Sequence, residues 1–104
     1  MGFPTRTQRK QAVTLCQQSD QTAALETMEA FATTDFRDDL KKVRIPTLVL
    51  HGDADGIVPI KGSGERTHRA IADSEMTVLA GAPHGCNVSH ADEFNKALLA
   101  FLAK

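Results

Sequence analysis

Two short loops of this sequence contain the side chains that could carry out acid–base chemistry. In the first loop, His51, Asp53 and Asp55 alternate directly after an apolar run. In the second, His84 lies between a proline and a glycine. An imidazole that removes a hydroxyl proton near neutral pH works with a carboxylate on its other ring nitrogen, which fixes the tautomer and stabilises the imidazolium. The two loops therefore offer the acid and the base of a hydrolytic triad, whose third member would be a nucleophile.

Both loops are expected to follow parallel β-strands. Residues 47–50 are nearly all apolar and come after Pro46, a pattern typical of a parallel strand that is covered on both faces. Residues 75–80 alternate with the period of a second strand, and Ser63 can cap a helix that runs through Ala72 between the two. Because a right-handed crossover returns the chain to the same edge of a parallel sheet, we expect the two loops to lie side by side.

Helical periodicity is found on either side of this unit. Apolar residues recur on one face of residues 8–18, and again after Ser19 and Asp20, which are natural N-caps. Ser89 and Asp92 form a capping pair for a last amphipathic helix. These patterns predict helices before and after the two strands.

The predicted fold class is therefore α/β. A helical segment over residues 1–34 precedes a βαβα unit with parallel strands over residues 35–104, in which a further short helix ends at Lys41 and Lys42. A chain of 104 residues has room for one hydrophobic core.

Composition argues against several functions. The formal net charge is −1, and neither Trp nor Tyr is present, so the chain has no electrostatic reason to bind nucleic acid or an anionic membrane. No apolar run approaches the length of a membrane span, and the start of the chain lacks the apolar segment of a signal peptide. We expect a soluble, cytoplasmic protein. Cys16 and Cys86 are too few and too far apart to predict a disulfide framework or a metal site.

Four stretches together resemble a known family. They read DFRDDLKKV from Asp35, IPTLVLHGDADGIVP from Ile45, GAPHG from Gly81 and LLAFL from Leu98. The set is similar to the C-terminal part of the α/β-hydrolase fold, and most of all to the cofactor-free haloperoxidase and arylesterase family. Residues 8–32 would then resemble the last helices of that family's cap.

The resemblance implies roles for particular residues. Asp55, two residues before the Ile-Val-Pro run, would be the acid of the triad, and His84 would be the general base, in the chain order of α/β-hydrolases. Asp53 and His51 would be structural members of the turn. The substrates would be small carboxylic esters, and no cofactor is implied, because the family's peroxidase chemistry needs neither metal nor haem.

The family's nucleophile is a serine in a Gly-x-Ser-x-Gly elbow, which this sequence does not contain. None of the serines in the chain has glycine two residues before and two after it; they are Ser19, Ser63, Ser74 and Ser89. The sequence thus resembles a hydrolase without its N-terminal portion. Cys86 and Ser89 follow His84 closely and are candidates for a replacement nucleophile, since a thiolate or hydroxyl beside an imidazole can be activated.

Two functions remain open on the sequence. In the first, the chain is an esterase-like or perhydrolase-like hydrolase whose nucleophile comes from an N-terminal portion, a partner subunit or activated water. In the second, it is a catalytically inactive remnant that acts as a dimerising scaffold. A two-stranded sheet would leave an apolar edge at residues 47–50, so we expect this edge to be covered by a homodimer or by the missing hydrolase portion.

Overall fold

A computed structural model describes residues 4–104, which fall into two compact units. The first unit ends at Phe36, and the second runs from Arg37 to Lys104. Each unit is described separately below. The assignment of residues 1–34 to the end of a hydrolase cap stays a prediction.

The first unit contains two helices, each with a side-chain cap at its start. Helix α1 spans Arg6–Gln17, and the preceding Thr5 forms a reciprocal capping box with Gln8. That box begins the helix two residues before the predicted start, because it satisfies backbone N–H groups that would otherwise be free. Helix α2 spans Gln21–Thr33 and confirms Asp20 as its N-cap, since the Asp20 carboxylate accepts a backbone N–H at 2.8 Å.

The second unit alternates strands and helices. None of the helices in residues 4–104 is long and apolar enough to cross a membrane. In chain order, the elements of the second unit are α3 (Arg37–Leu40), β1 (Thr47–Gly52), a 3-10 turn (Ile60–Gly62), α4 (Gly64–Ala70), β2 (Ser74–Leu79), α5 (Cys86–Ser89) and α6 (Ala91–Leu102).

The two strands form a parallel pair, which confirms the predicted α/β fold class. Their register places Thr47 opposite Ser74 and Gly52 opposite Leu79. Both strands therefore end together, and the loops that follow them emerge at the same edge of the sheet. Within residues 4–104, no third strand pairs with either of them.

The apolar core includes part of the second loop. Leu79, Ala82 and Cys86 are buried against one another, and Leu50 from β1 and Phe94 from α6 pack onto them. Ala82 is fully buried. Burial of this cluster fixes the backbone on both sides of His84, so the core and the loop are formed by the same contacts.

Two of the predicted caps differ from the structure. Ser63 does precede the first residue of α4, but its hydroxyl donates to the Pro59 carbonyl at 2.8 Å and does not cap the helix, which ends at Ala70 and not at Ala72. Ser89 is already helical at the end of α5, where its backbone N–H donates to the Gly85 carbonyl at 3.0 Å, so it cannot take the extended conformation of an N-cap. Helix α6 instead begins after His90, without a side-chain cap.

Candidate active site

Hydrogen bonds join the two loops directly. The backbone N–H of Ala54 donates to the Ala82 carbonyl at 3.1 Å, and that of Asp53 donates to the Leu79 carbonyl at 3.2 Å. The Asp53 side chain adds a third connection, because its Oδ1 accepts the backbone N–H of Gly81 at 2.6 Å. Asp53 thus connects the two loops, which agrees with the structural role in the turn that the resemblance implied for it.

Glycine is required on each side of this junction. A Cβ atom on Gly52 would lie 2.1 Å from the Ala82 carbonyl oxygen, far inside van der Waals contact. Gly81 has a φ of +69°, in the left-handed region that other residues adopt only at a cost. The close approach of the two loops therefore depends on glycine at residue 52, and the backbone conformation of the second loop favours glycine at residue 81.

Asp55 is held by its own loop and points one oxygen at His84. Its side chain is only 5% exposed. Oδ1 accepts the backbone N–H groups of Ile57 at 2.9 Å and Val58 at 2.8 Å. Oδ2 lies 2.8 Å from Nδ1 of His84. The carboxylate is therefore fixed in place by hydrogen bonds that do not depend on the imidazole.

The contact with Asp55 determines how His84 carries its proton. A carboxylate can only accept, so Nδ1 of His84 is the protonated nitrogen and Nε2 has a free lone pair. The His84 side chain is 51% exposed, which leaves the ring accessible to a reacting group. This is the tautomer that a general base needs.

The surroundings keep Asp55 ionised to low pH. Burial, which is the largest influence, opposes ionisation, but hydrogen bonds from the Val58 N–H, His84 and the Ile57 N–H outweigh it, with a further contribution from the charge of His84. Together they lower the pKa of Asp55 from 3.8 to about 2. A carboxylate that stays charged can stabilise an imidazolium beside it.

His51 also reaches this site. Its Nε2 lies 2.9 Å from the Val58 carbonyl oxygen and 3.4 Å from Oδ2 of Asp55. The prediction that His51 lies in the turn is wrong, since β1 extends to Gly52 and His51 lies on the strand, where it makes these two contacts. The sequence-based prediction missed Gly64 altogether: a Cβ on Gly64 would lie 2.6 Å from Nδ1 of His51, so the ring has room only because residue 64 is glycine.

The candidate replacement nucleophiles lie outside these contacts. Cys86 is 8% exposed and belongs to the apolar core, which does not favour attack on a substrate. Ser89 Oγ lies 2.8 Å from Nδ1 of His90. Among the hydrogen bonds of residues 4–104, none joins Cys86 or Ser89 to His84. Their role as nucleophiles stays a prediction.

A metal site is not formed by the side chains that the structure describes. Over residues 4–104, no group of three His, Cys, Asp or Glu side chains is placed to hold a metal ion. The alternating His51, Asp53 and Asp55 instead face three different partners: the Val58 carbonyl, the Gly81 amide and His84.

Asp55 and His84 thus follow the carboxyl ends of two paired parallel strands and lie 2.8 Å apart. The chain is 46% identical over 79 residues to a non-heme chloroperoxidase of Kitasatospora aureofaciens, a match that covers 74% of this chain and 29% of that protein. It is 40% identical over 73 residues to a bifunctional esterase/perhydrolase of Acinetobacter calcoaceticus, covering 70% of this chain and 26% of that one. No protein-family model matches the chain.

A solved structure agrees with these sequence relatives. The crystal structure of a bromoperoxidase from Bacillus anthracis superposes with a TM-score of 0.70 at 55% identity, covering 72% of this chain and 27% of the bromoperoxidase. The predicted resemblance is confirmed: the chain is similar to the C-terminal part of the non-heme haloperoxidase and esterase family of α/β-hydrolases. It spans between a quarter and a third of the length of these proteins.

Proposed function

We propose that this chain supplies the acid, Asp55, and the general base, His84, of a hydrolase that acts on small carboxylic esters. The observation that carries the proposal is the 2.8 Å contact between Oδ2 of Asp55 and Nδ1 of His84, made by a carboxylate that two backbone amides already hold. The nucleophile would be a serine of a hydrolase portion outside these 104 residues, which contain no Gly-x-Ser-x-Gly segment.

In the proposed reaction, His84 moves one proton at each step. Its Nε2 takes the proton of the serine hydroxyl as the serine oxygen attacks the ester carbonyl, and Asp55 stabilises the imidazolium that results. His84 then returns the proton to the departing alcohol, which leaves an acyl-serine. Water attacks the acyl group in the second half of the cycle with the same proton transfers, and hydrogen peroxide in place of water would give a peracid.

The test is a chimera in which this chain replaces the matching C-terminal part of the Bacillus anthracis bromoperoxidase. We expect the chimera to hydrolyse p-nitrophenyl acetate, and His84→Ala to lower kcat by at least about a thousandfold, as removal of a triad base does. His68→Ala is the matched control, because it deletes an imidazole that bonds to Ser74, away from the site. A folded chimera without esterase activity, or equal losses in the two variants, would contradict the proposal.

The isolated chain tests where the nucleophile lies. With the serine outside the chain, wild type and His84→Ala should hydrolyse the ester at the same background rate. Turnover by the wild type that His84→Ala abolishes would instead locate a nucleophile within the chain, at Cys86, Ser89 or a bound water. Cys86→Ala and Ser89→Ala would then separate these three.

The second candidate is the inactive dimerising scaffold. The exposed apolar surface of the second unit supports it. Several large apolar side chains of the second unit are exposed, among them Ile45 at 69% and Ile57 at 75%. The free edge of β1 would pair with the rest of the hydrolase sheet in the proposed enzyme, and with a second copy in the isolated chain. A single monomeric species in analytical ultracentrifugation would contradict the second-copy part of this proposal.

A further inference from the structure

His51 contacts the loop of Asp55 at two points. The Val58 carbonyl, 2.9 Å from Nε2 of His51, can only accept a hydrogen bond, so Nε2 must carry the proton. The same nitrogen lies 3.4 Å from Oδ2 of Asp55, the oxygen that faces His84. The His51 side chain is 14% exposed, so water competes little for these contacts.

Val58 is therefore held on both sides of its own Cα. Its N–H donates to Oδ1 of Asp55 at 2.8 Å, and its carbonyl accepts from His51. A residue fixed at both of its peptide groups cannot rotate without breaking one of the bonds. The position of the amide that binds Asp55 is thus set by His51, which sits on β1 and not in the loop.

Helix α4 completes this arrangement. Gly64 is its first residue and is buried, and a Cβ there would lie 2.6 Å from Nδ1 and 3.2 Å from Cγ of the His51 ring. A side chain at residue 64 would therefore collide with the imidazole, so the ring can occupy this position only beside a glycine.

We infer that His51 is a positioning residue for Asp55. Its ring has room beside Gly64 and donates a hydrogen bond to the Val58 carbonyl. This bond fixes the Asp55 carboxylate in the orientation in which it contacts His84. This inference rests on the proposed function, since Asp55 is the acid of the triad only there. His51 acts through Asp55 and touches no reacting atom.

Two substitutions with side chains of equal length distinguish the effect of the His51 hydrogen bond from the effect of the space that its ring fills. His51→Gln keeps a donor near the position of Nε2, whereas His51→Met fills similar space without one. At pH 3.8, carbon NMR of Asp55 should show a largely ionised carboxylate in wild type and in His51→Gln. In His51→Met the protonated fraction should be higher than in wild type, because the hydrogen bond from Val58, the largest of the influences that lower the pKa of Asp55, is loosened.

Glycine variants test whether the His51 ring needs the space beside residue 64. Gly64→Ala should behave like His51→Met, because its Cβ displaces the imidazole. Gly62→Ala is the matched control, since a Cβ there meets nothing within 4 Å. Equal ionisation of Asp55 in wild type, His51→Met and Gly64→Ala would overturn the inference, as would equal loss in His51→Gln and His51→Met.

Nitrogen NMR of the wild-type chain tests the inference without any substitution. The neutral His51 ring should carry its proton on Nε2, and a proton on Nδ1 would overturn the inference even if the variants failed to fold. In the active chimera, His51→Met should lower kcat by on the order of tenfold to a hundredfold with little change in KM, and His51→Gln should restore it. Loss of the proposed function would appear separately, as an unchanged rate in His84→Ala.

Discussion

The substitution Gly52→Ala tests the closest approach between the two loops. The added Cβ would lie 2.1 Å from the Ala82 carbonyl oxygen and 2.7 Å from its carbon, whereas real Cβ contacts do not fall below 3.0 Å. The two backbones must therefore separate by about 0.9 Å. Neither backbone can move alone, because Gly52 ends β1 and Ala82 is fully buried in the core.

The energetic cost follows from what that separation breaks. The Ala82 carbonyl would lose the N–H of Ala54, now at 3.1 Å, and would become a buried acceptor without a partner. An unsatisfied buried group costs about 1–3 kcal/mol, and the strain of overpacking adds about 1–3 kcal/mol. We expect the free energy of unfolding to fall by about 4 kcal/mol, a large part of the roughly 5–15 kcal/mol that small domains possess.

The assay must report on the second unit alone. The chain has no Trp or Tyr for fluorescence, and circular dichroism would be dominated by helices of both units. Urea titration followed by the amide NMR signals of β1 and β2 avoids both problems. The matched control is Gly56→Ala in the same loop, where a Cβ meets nothing within 4 Å, and it should change stability by less than about 0.5 kcal/mol. Equal midpoints for the two variants would refute the reasoning.

Two further predictions concern the aspartates of the first loop. The pKa of Asp55 is lowered from 3.8 to about 2 in the folded chain. Its contribution to the free energy of unfolding should therefore be complete about one pH unit above 3.8, and it should be lost as the pH falls towards 2. Asp55→Asn should flatten this part of the stability curve measured by urea unfolding, and an unchanged acid slope would count against it. Asp53→Ala, which removes the 2.6 Å bond to the Gly81 amide, should cost about 1 kcal/mol in the same assay. Asp73→Ala, at an exposed turn, is the control and should leave the free energy of unfolding nearly unchanged. Equal losses of stability in the two variants would contradict a stabilising bond between Asp53 and the Gly81 amide.

The pairing of Asp55 with His84 could be anticipated from the sequence because it depends on local patterns. Apolar runs identify the strands, and parallel strands linked by a helix bring their carboxyl ends to one edge. That reasoning places Asp55 and His84 side by side, and the structure has them 2.8 Å apart. The resemblance to α/β-hydrolases adds the predicted role of each residue, the acid for Asp55 and the general base for His84.

The errors arose where distant contacts override a local signal. Ser89 has the right type and spacing for an N-cap, but burial of Cys86 against Leu79 belongs to an extra helical turn that takes up Ser89. The close approach of the His51 ring to Gly64 likewise depends on how α4 packs on β1. A glycine at the start of a helix gives only a weak-helix signal in the sequence, so its partner 13 positions earlier cannot be read from it.

The register of the strand pair has a consequence for how such a site can change over time. A slip of two residues would keep every side chain on its own face of the sheet, but it would move Asp55 about 6–7 Å along the strand, away from His84. Residues 53–64 of the crossover are also constrained, because they include Asp55, the amides that bind it and Gly64. A change of length is tolerated only beyond Gly64, and only while Thr47 still lies opposite Ser74. Insertions in this part of the crossover and shifts of the strands are therefore very different events, although both alter the same stretch of chain.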